Sequence, residues 1–369
     1  MKNARVLLAA LVIGSPAAAQ VRSSPISAEH LVCAMVGGQA RCMHFAHFFL
    51  GNTGHNDSDS LRPLDGDPGL VSIRTSGEMA CGLTATGALY CEGMTGGPGE
   101  GPITAETPNE PCGGVECVAR LGPVASHYAF RSFAMEDNVV CGSAVGGSLV
   151  CWGLSAARRL ARVPRVLAGA PALVSMDAGS GNFCGLTADG RAWCWTIREA
   201  WFTPPNRVAG AHTFVQIEAG GMGPCGLEAD GGLWCWQRDG ELAPLRSQPA
   251  TRFRSISIGD RFSCGILMEG GGVCWGENVD DLGNGMGYRD LPSSPTPVPV
   301  LNSGAYIAIA AGDGIAGGLT SAGDVYYWGT CHCDASGLPQ SYPAPRLSEQ
   351  PEHRTKAGVP VGGKRLLRN

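Results

Sequence analysis

Short apolar runs separated by glycine-containing turns recur along the chain, and the clearest copy is the run CGLTADGRAWCW that begins at Cys184. Two apolar arms flank an Asp-Gly turn, which is the pattern of a β-hairpin. If the pairing is centred on Asp189, Cys184 lies opposite Cys194. Gly185 then lies opposite Trp193, where the missing side chain is expected to leave room for the indole. Opposed residues at a non-hydrogen-bonded position are about 4.5 Å apart at Cα, so a disulfide within the hairpin is predicted.

The same unit occurs seven times along the sequence. Six copies carry a cysteine on each arm, and the predicted pairs are Cys33–Cys42, Cys81–Cys91, Cys141–Cys151, Cys184–Cys194, Cys225–Cys235 and Cys264–Cys274. The seventh copy, residues 317–328, has Gly317 and Tyr327 in place of the cysteines. One turn position, where positive φ suits a three-residue loop with a bulge, is always glycine in copies two to seven. These turn glycines are Gly87, Gly147, Gly190, Gly231, Gly270 and Gly323.

Strands before and between the hairpins complete the repeat. Alternating runs that end in glycine precede most copies, as at residues 174–179 and 215–220. Proline-marked runs at 163–167 and 296–301 are typical of an edge strand, because an edge tolerates the missing N–H. Four short strands repeated seven times, without helical periodicity, predict an all-β, seven-bladed β-propeller.

A further proline-marked run lies at residues 342–347. No clear strand of this type precedes the first hairpin copy. We therefore predict that the C-terminal segment completes the blade that the N-terminus begins, since such a closure removes the exposed edges of an open ring.

Several motifs resemble the repeat family of the regulator of chromosome condensation. The best-matched copy runs from Cys264 to Asn278 and continues to a Leu-Gly-Asn-Gly run at 282–285, and a second trace lies at 50–54. The resemblance covers about residues 25–345. It implies a propeller that binds another macromolecule: eukaryotic relatives bind a nuclear GTPase and exchange its nucleotide, and secreted bacterial relatives include an inhibitor that clamps β-lactamases.

The N-terminus has the pattern of a secretory signal peptide. Lys2 and Arg5 precede an apolar run at 6–14, and alanines at 17–19 supply small residues for cleavage. No cysteine follows the cleavage site, which argues against a lipid anchor, and no later run is long enough to span a bilayer. We predict a signal peptide over 1–19, a propeller of seven repeats over 20–347 and a C-terminal tail over 348–369, in a secreted or periplasmic protein.

Composition supports this compartment and excludes some partners. The 369 residues include 16 Cys and 55 Gly, with 16% charged residues, which is typical of a turn-rich, disulfide-bonded β protein. Cysteines about ten residues apart do not suit the close pairs of zinc sites. A net charge of −5 with no basic cluster before the last few residues offers no footprint for nucleic acid.

The segment 44–59 combines ligand types for a metal ion without a recognised spacing, and an inter-blade loop is the favoured interpretation. Its candidate ligands are His44, His47, His55, Asp57 and Asp59.

Other acidic residues and cysteines have structural interpretations too. Residues 65–67, Asp-Gly-Asp, are predicted to form a turn rather than a calcium site. The carboxylates at 280–281 are predicted to be solvated. Cys112 and Cys117 are predicted to form a disulfide that ties the insertion between the second and third copies. Cys331 and Cys333 could form a strained disulfide, pair elsewhere, or form a redox or metal motif, and structural bonding is favoured.

The sequence contains no nucleophile elbow, zinc-protease helix, phosphate loop or nucleotide fingerprint, so no catalytic residue, cofactor or metal is predicted. The leading hypothesis is an exported, non-enzymatic, monomeric binding module whose rim loops bind an extracellular or envelope protein. The alternatives are an extracellular enzyme acting on polysaccharide or peptide, and a secreted enzyme inhibitor. Carboxylates and exposed aromatics converging at one end would favour the enzyme, and a flat apolar patch a protein partner. The recurring tryptophans are predicted to pack between blades.

Overall fold

The computed structural model describes residues 24–29, 32–43, 61–77, 79–94, 110–112, 115–136, 139–153, 164–198, 201–236, 243–277, 293–301, 303, 306–331 and 340–348. Within these ranges the chain forms 30 β-strands in seven sheets, so the prediction of a seven-bladed β-propeller is confirmed. No helix in the described part has the length and apolar character needed to cross a bilayer.

The first four blades follow one another in chain order. Blade 1 consists of β1 (Ile26–Ala28), β2 (Val32–Val36), β3 (Gln39–Met43) and β4 (Leu61–Pro63). Blade 2 consists of β5 (Leu70–Ser76), β6 (Met79–Thr84), β7 (Leu89–Met94), β8 (Glu110–Cys112) and β9 (Val115–Val124). Blade 3 consists of β10 (Phe130–Glu136), β11 (Val139–Ala144), β12 (Leu149–Gly153) and β13 (Arg165–Val166). Blade 4 consists of β14 (Leu173–Gly179), β15 (Asn182–Thr187), β16 (Ala192–Arg198), β17 (Trp201–Phe202) and β18 (Asn206–Arg207).

The remaining three blades repeat the four-strand pattern. Blade 5 consists of β19 (Phe214–Glu218), β20 (Cys225–Glu228), β21 (Leu233–Cys235) and β22 (Leu245–Ser247). Blade 6 consists of β23 (Phe253–Ile258), β24 (Phe262–Leu267), β25 (Gly272–Glu277) and β26 (Ser293–Pro299). Blade 7 consists of β27 (Tyr306–Ala311), β28 (Ile315–Thr320), β29 (Val325–Cys331) and β30 (Gln340–Leu347). In every blade the first three strands form an antiparallel meander, and the first strand lines a central channel. In blade 2 β9 pairs with β7 and β8 with β9, and in blade 4 β16 pairs with both β17 and β18.

The register of the hairpin agrees with the sequence pattern. Cys184 pairs with Cys194 and Gly185 with Trp193, as predicted. The turn glycines have φ between 78° and 98°, which confirms the left-handed turn position. Six disulfides join the second and third strands of blades 1 to 6, with Cα atoms 4.0–4.1 Å apart: Cys33–Cys42, Cys81–Cys91, Cys141–Cys151, Cys184–Cys194, Cys225–Cys235 and Cys264–Cys274.

The glycine after the first cysteine makes room for a different neighbour from the one that the hairpin alone predicts. A Cβ on Gly185 would lie 2.7 Å from Cδ1 of Leu173, the first residue of β14, so the expectation that Gly185 makes room for Trp193 was wrong. A Cβ on Gly142 would lie 2.4 Å from Cδ1 of Phe130. The glycine therefore admits the large first residue of the inner strand in its own blade.

We expect Gly142→Ala to destabilise the fold by about 1–3 kcal/mol, because overpacking forces the buried Phe130 ring out of its position. The free energy of unfolding from urea titration measures this. Gly146→Ala is the matched control, since a Cβ there meets nothing within 4 Å. Equal unfolding free energies for the two variants would contradict the packing role of Gly142.

The hydrophobic core lies between neighbouring blades. One cluster joins Met79 and Leu83 of blade 2 to Phe130 and Val140 of blade 3. Trp152 in this cluster is fully buried, with its ring centroid 5.9 Å from that of Phe130. Four further tryptophans are buried: Trp195, Trp236, Trp275 and Trp328. For these five residues the prediction of packing between blades is confirmed.

The closure of the ring differs from the prediction. The proline-marked strand β30 pairs with β29 of its own blade, and blade 1 takes all four strands from residues 26–63, so the predicted completion of blade 1 by the C-terminus was wrong. Blades 7 and 1 meet by packing instead. A Cβ on Gly312 would lie only 2.4 Å from Cα of Glu29, and one on Gly317 would lie 2.9 Å from Cδ1 of Ile26.

Candidate functional site in the central channel

The two faces of the propeller differ in how they connect strands. We call the face that holds the connections between first and second strands and between third and fourth strands the loop face. The opposite face, which holds the hairpin turns and the connections between blades, is the turn face. The third strands end and the fourth strands begin at the loop face, and the longest sequence intervals between strands lie between these ends: residues 44–60, 95–109, 154–164, 236–244, 278–292 and 332–339. The turn face is built from short turns, such as residues 37–38 and 188–191.

One layer of the channel carries its charge. The layer consists of the inner-strand residue paired with the first cysteine position of each hairpin, and its members are Ser27, Arg74, Ala134, Asp177, Glu218, Ser257 and Ala310. Three members are charged: Arg74 in blade 2, Asp177 in blade 4 and Glu218 in blade 5. They are candidate functional residues because a charge in the interior requires a partner or a role.

An ion pair crosses the channel in this layer. Arg74 Nη1 donates a short hydrogen bond to Asp177 Oδ1, and Arg74 Nη2 donates to the carbonyl of Met176 at 2.7 Å. The other carboxylate oxygen, Oδ2, accepts a 2.8 Å hydrogen bond from the backbone N–H of Ala219. Blades 2, 4 and 5 are thereby linked through one buried charge network.

Glu218 lies beside this pair and has a less complete set of partners. Its Oε1 accepts a 2.9 Å hydrogen bond from Gln216 Nε2, which also donates to the carbonyl of Ile256 at 2.7 Å. Burial raises the pKa of Glu218 well above its usual value, and the nearby carboxylate of Asp177 raises it further. Burial also raises the pKa of Asp177, against the opposing effect of Arg74. The layer thus holds one guanidinium for two carboxyl groups.

The channel is a funnel that is wide at the turn face. There it encloses about 290 Å³, and the volume falls to about 60 Å³ towards the loop face. At the narrow end inner strands end in glycines that contact the next blade: a Cβ on Gly179 would lie 2.3 Å from the carbonyl oxygen of Ala219, and one on Gly220 2.3 Å from that of Ile258. Ser180 Oγ donates to Asp260 Oδ1 at 2.5 Å at this end, joining blades 4 and 6.

Bulged residues of the inner strands form a ring on the turn face, and Val215, Arg254 and Ile307 of this ring line the wide mouth of the funnel. In six blades the pairing of the first two strands skips the second residue of the inner strand. Such a bulge re-aims the side chain that it carries. We call this ring the collar, and its members are Val71, Arg131, Val174, Val215, Arg254 and Ile307. The guanidinium of Arg131 donates to the carbonyl of Val145 at 3.0 Å, and that of Arg254 to the carbonyl of Tyr306 at 3.1 Å.

Exposed apolar side chains occur on the turn face. Ten large apolar side chains are exposed in the described part of the chain, and six belong to this face: Val71, Val145, Val215, Met268, Leu301 and Ile307. Val166, Leu245 and Leu347 lie on outer strands, and Met222 belongs to the loop face.

Several predicted site residues lie outside the described part of the chain. These are His44, His47, His55, Asp57, Asp59, Asp280, Asp281 and Cys333. Cys112, Cys117 and Cys331 lie on β8, β9 and β29, and their side chains are outside the described part. Their predicted roles stay predictions.

Asp67 closes a turn. Its Oδ1 accepts hydrogen bonds from the backbone N–H groups of Gly69 at 2.9 Å and Leu70 at 2.8 Å, so it has the turn role predicted for residues 65–67. Across the residues that the structure describes, no group of three His, Cys, Asp or Glu side chains is placed to hold a metal ion.

Sequence reasoning missed Arg74, Asp177 and Glu218. The signal was present in the repeat alignment, because the same inner-strand position is serine or alanine in the other four blades. Charged residues at a repeat position that is otherwise serine or alanine mark blades that are not equivalent to the rest.

No protein-family model and no curated protein sequence matches this chain. Solved structures match it in fold. Yeast RCC1 (Prp20), in a crystal structure with Kap60, has a TM-score of 0.67 at 15% identity, over 95% of this chain and 92% of that chain. Human WBSCR16 has a TM-score of 0.62 at 14% identity, over 83% and 90%. The ectodomain of the Arabidopsis thaliana receptor kinase ACR4 has 0.53 at 20%, over 87% and 97%. The resemblance to the regulator of chromosome condensation repeat is confirmed as a likeness of fold.

Proposed function

We propose that this protein is an exported, non-enzymatic binding module that contacts a protein partner with its turn face. The observation that carries the proposal is the set of exposed apolar side chains on that face, of which Val215 and Ile307 line the mouth of the funnel. Monomeric proteins seldom expose contiguous apolar surface without an interaction to cover it. A collar of four aliphatic and two arginine side chains suits a protein surface, because aliphatic and arginine contacts can both be buried in an interface.

The same geometry weighs against the enzyme alternative. Carboxylates and exposed aromatic side chains that converge at one mouth of the channel would indicate an enzyme acting on polysaccharide or peptide. The collar instead holds Val71, Arg131, Val215, Arg254 and Ile307, together with Val174. The carboxyl groups of the channel lie deeper, where one of them is paired with arginine.

The disulfides and the N-terminal sequence support export. Six disulfides in one chain are typical of an oxidising compartment, because thiols stay reduced in the cytosol. The charged start, apolar run and small residues of the first 19 positions have the order of a cleaved signal peptide. The partner is therefore sought among extracellular and envelope proteins.

A capture experiment with two matched variants tests the proposal. Oxidised wild-type protein, Ile307→Glu and Met222→Glu are used as baits on envelope and secreted fractions of the source cells. Ile307 and Met222 are both 52% exposed, but Ile307 belongs to the turn face and Met222 to the loop face. A charge at Ile307 places an unpaired carboxylate in the centre of the proposed interface, so we expect at least a tenfold loss of capture there and no loss at Met222.

The outcome separates the two faces. A protein retained by wild type and Met222→Glu and lost by Ile307→Glu supports the turn face. Loss by Met222→Glu alone would assign binding to the long loops of the loop face and contradict the proposal. Capture of no protein near stoichiometric amounts, or equal capture by all three baits, would contradict it as well.

A further inference from the structure

We infer that the funnel accepts a single lysine side chain from an acidic segment of the partner, an inference that rests on the proposed function. The lysine ammonium reaches Glu218 at the floor, its aliphatic stem contacts the apolar wall, and acidic neighbours of the lysine meet the collar arginines Arg131 and Arg254.

The dimensions of the funnel suit one long side chain. Its volume of about 290 Å³ opens on the turn face, and its wall includes Met176, Ile217, Ile256 and Ile309. Glu218 follows the collar residue Val215 by three positions, which corresponds to roughly 10 Å of strand at about 3.3 Å per residue. The reach of the Glu218 side chain shortens this depth. A long side chain can therefore meet the carboxyl group while its stem stays on apolar surface, as lysine stems commonly do.

The floor of the funnel lacks one positive charge. Arg74 is held by Asp177 and by the carbonyl of Met176, so its guanidinium is occupied. Glu218 Oε1 accepts from Gln216, whereas Oε2 accepts no hydrogen bond from any residue that the structure describes. An ammonium group would supply both the missing charge and the missing donor. Burial and the carboxylate of Asp177 raise the pKa of Glu218 against the opposing effect of Arg74, so an added cation at Oε2 would favour the ionised form.

The rim has the opposite charge preference. The collar contains two arginines and no acidic residue. Arg254 lines the funnel and donates to the carbonyl of Tyr306, and Arg131 donates to the carbonyl of Val145. Remaining N–H donors can bind carboxylates, which arginine does well. A partner that is basic throughout would be repelled at the rim. The preferred ligand is therefore a lysine flanked by aspartate or glutamate.

Isothermal titration with short capped peptides tests this arrangement. The probe is acetyl-Glu-Lys-Glu-amide. One matched peptide replaces lysine with norleucine, which keeps the aliphatic stem without the ammonium group, and another replaces both glutamates with glutamine. The protein is the full oxidised chain as wild type, Glu218→Gln, Arg254→Gln and Glu228→Gln. Glu228 is the control because it lies in the same blade and contacts His212 and Trp234 away from the funnel.

Each contact has its own expected signature. Glu218→Gln should weaken binding of the lysine peptide about tenfold or more and leave binding of the norleucine peptide unchanged, because only the lysine peptide carries the ammonium group. Arg254→Gln should weaken the lysine peptide and leave the glutamine-flanked peptide unchanged. Glu228→Gln should bind all three peptides as wild type does. Circular dichroism and the melting temperature of Glu218→Gln verify that this variant is folded.

Two results would overturn the inference. In the first, wild type binds the lysine and norleucine peptides equally, or binds neither. In the second, Glu218→Gln binds the lysine peptide as tightly as wild type does. The proposed function fails separately. If Ile307→Glu abolishes partner capture while Glu218→Gln captures the partner as wild type does, the turn face binds a protein without an inserted lysine. If Ile307→Glu captures the partner as wild type does, the proposed function itself is wrong.

Discussion

Arg74→Met is expected to lower the free energy of unfolding by about 3–5 kcal/mol at neutral pH, one of the two largest effects predicted for this protein. The substitution leaves the buried carboxylate of Asp177 without its cation, next to the carboxyl group of Glu218. The Asp177 side chain is only 9% exposed, so water compensates poorly for the lost guanidinium. The remaining hydrogen bond from Ala219 satisfies one oxygen and does not neutralise the charge.

Urea unfolding of Arg74→Met measures this effect, with Arg261→Met as the matched control. Arg261 also pairs with an aspartate, Asp313, but at 3.9 Å with side chains 52% and 37% exposed. Exposed pairs contribute about 1 kcal/mol or less, so the control should change little. Adding Asp177→Asn to Arg74→Met should restore part of the lost stability, because it removes the unpaired charge. If Arg74→Met costs no more than Arg261→Met, the channel pair does not stabilise the ring.

Local features of the blades were predictable from the sequence because they depend on neighbours within one hairpin. The opposition of Cys184 and Cys194 and the positive φ of Gly190 follow from the spacing of the hairpin arms and its turn. The role of Gly185 was not predictable from the hairpin, because its close neighbour Leu173 belongs to a third strand. The order of residues on one hairpin contains no information about how a third strand packs across it.

The closure of the ring could not be read from the sequence for a related reason. In a cyclic repeat a proline-marked strand can belong to the hairpin before it or to the hairpin after it, and both assignments give the same linear pattern. The pairing of Tyr326 with Leu347 shows that β30 belongs to the preceding hairpin. Blade 1 is then complete without it, and no strand pairing among the described residues joins blade 7 to blade 1.

The level of the charged residues in the channel was predictable from the sequence, but their pairing across the channel was not. Aligned repeats place Arg74, Asp177 and Glu218 at one level of the channel, because equivalent positions in each blade share a level. The choice of partner across the channel depends on side-chain reach and on which backbone groups are free, such as the N–H of Ala219. The collar was hidden for another reason, since a bulge changes pairing without a distinctive residue type: its members range from Val71 to Arg254.

The second large effect is expected at Glu92, in the third strand of blade 2. Burial, and then the nearby carboxylate of Asp65, raise the pKa of Glu92 from 4.5 to about 8. The folded protein therefore binds this proton more tightly than the unfolded chain. The resulting stabilisation is complete below pH 4.5 and is lost as the pH rises to about 8. The loss should be about 3 kcal/mol, below the roughly 5 kcal/mol that the full change in pKa implies, because the half-buried group is partly screened.

Unfolding free energies of wild type and Glu92→Gln across pH 4.5–8 test this prediction. Glutamine has a similar shape and does not titrate. The variant should therefore be more stable than wild type by about 3 kcal/mol at pH 8 and differ little from it at pH 4.5. Glu277→Gln, at an exposed end of another third strand, is the control and should follow wild type. Glu218 also has a raised pKa, but both proteins retain it, so the difference between them isolates Glu92. A difference that does not grow with pH would show that Glu92 is charged in the folded protein at low pH, and that burial in blade 2 does not hold its proton.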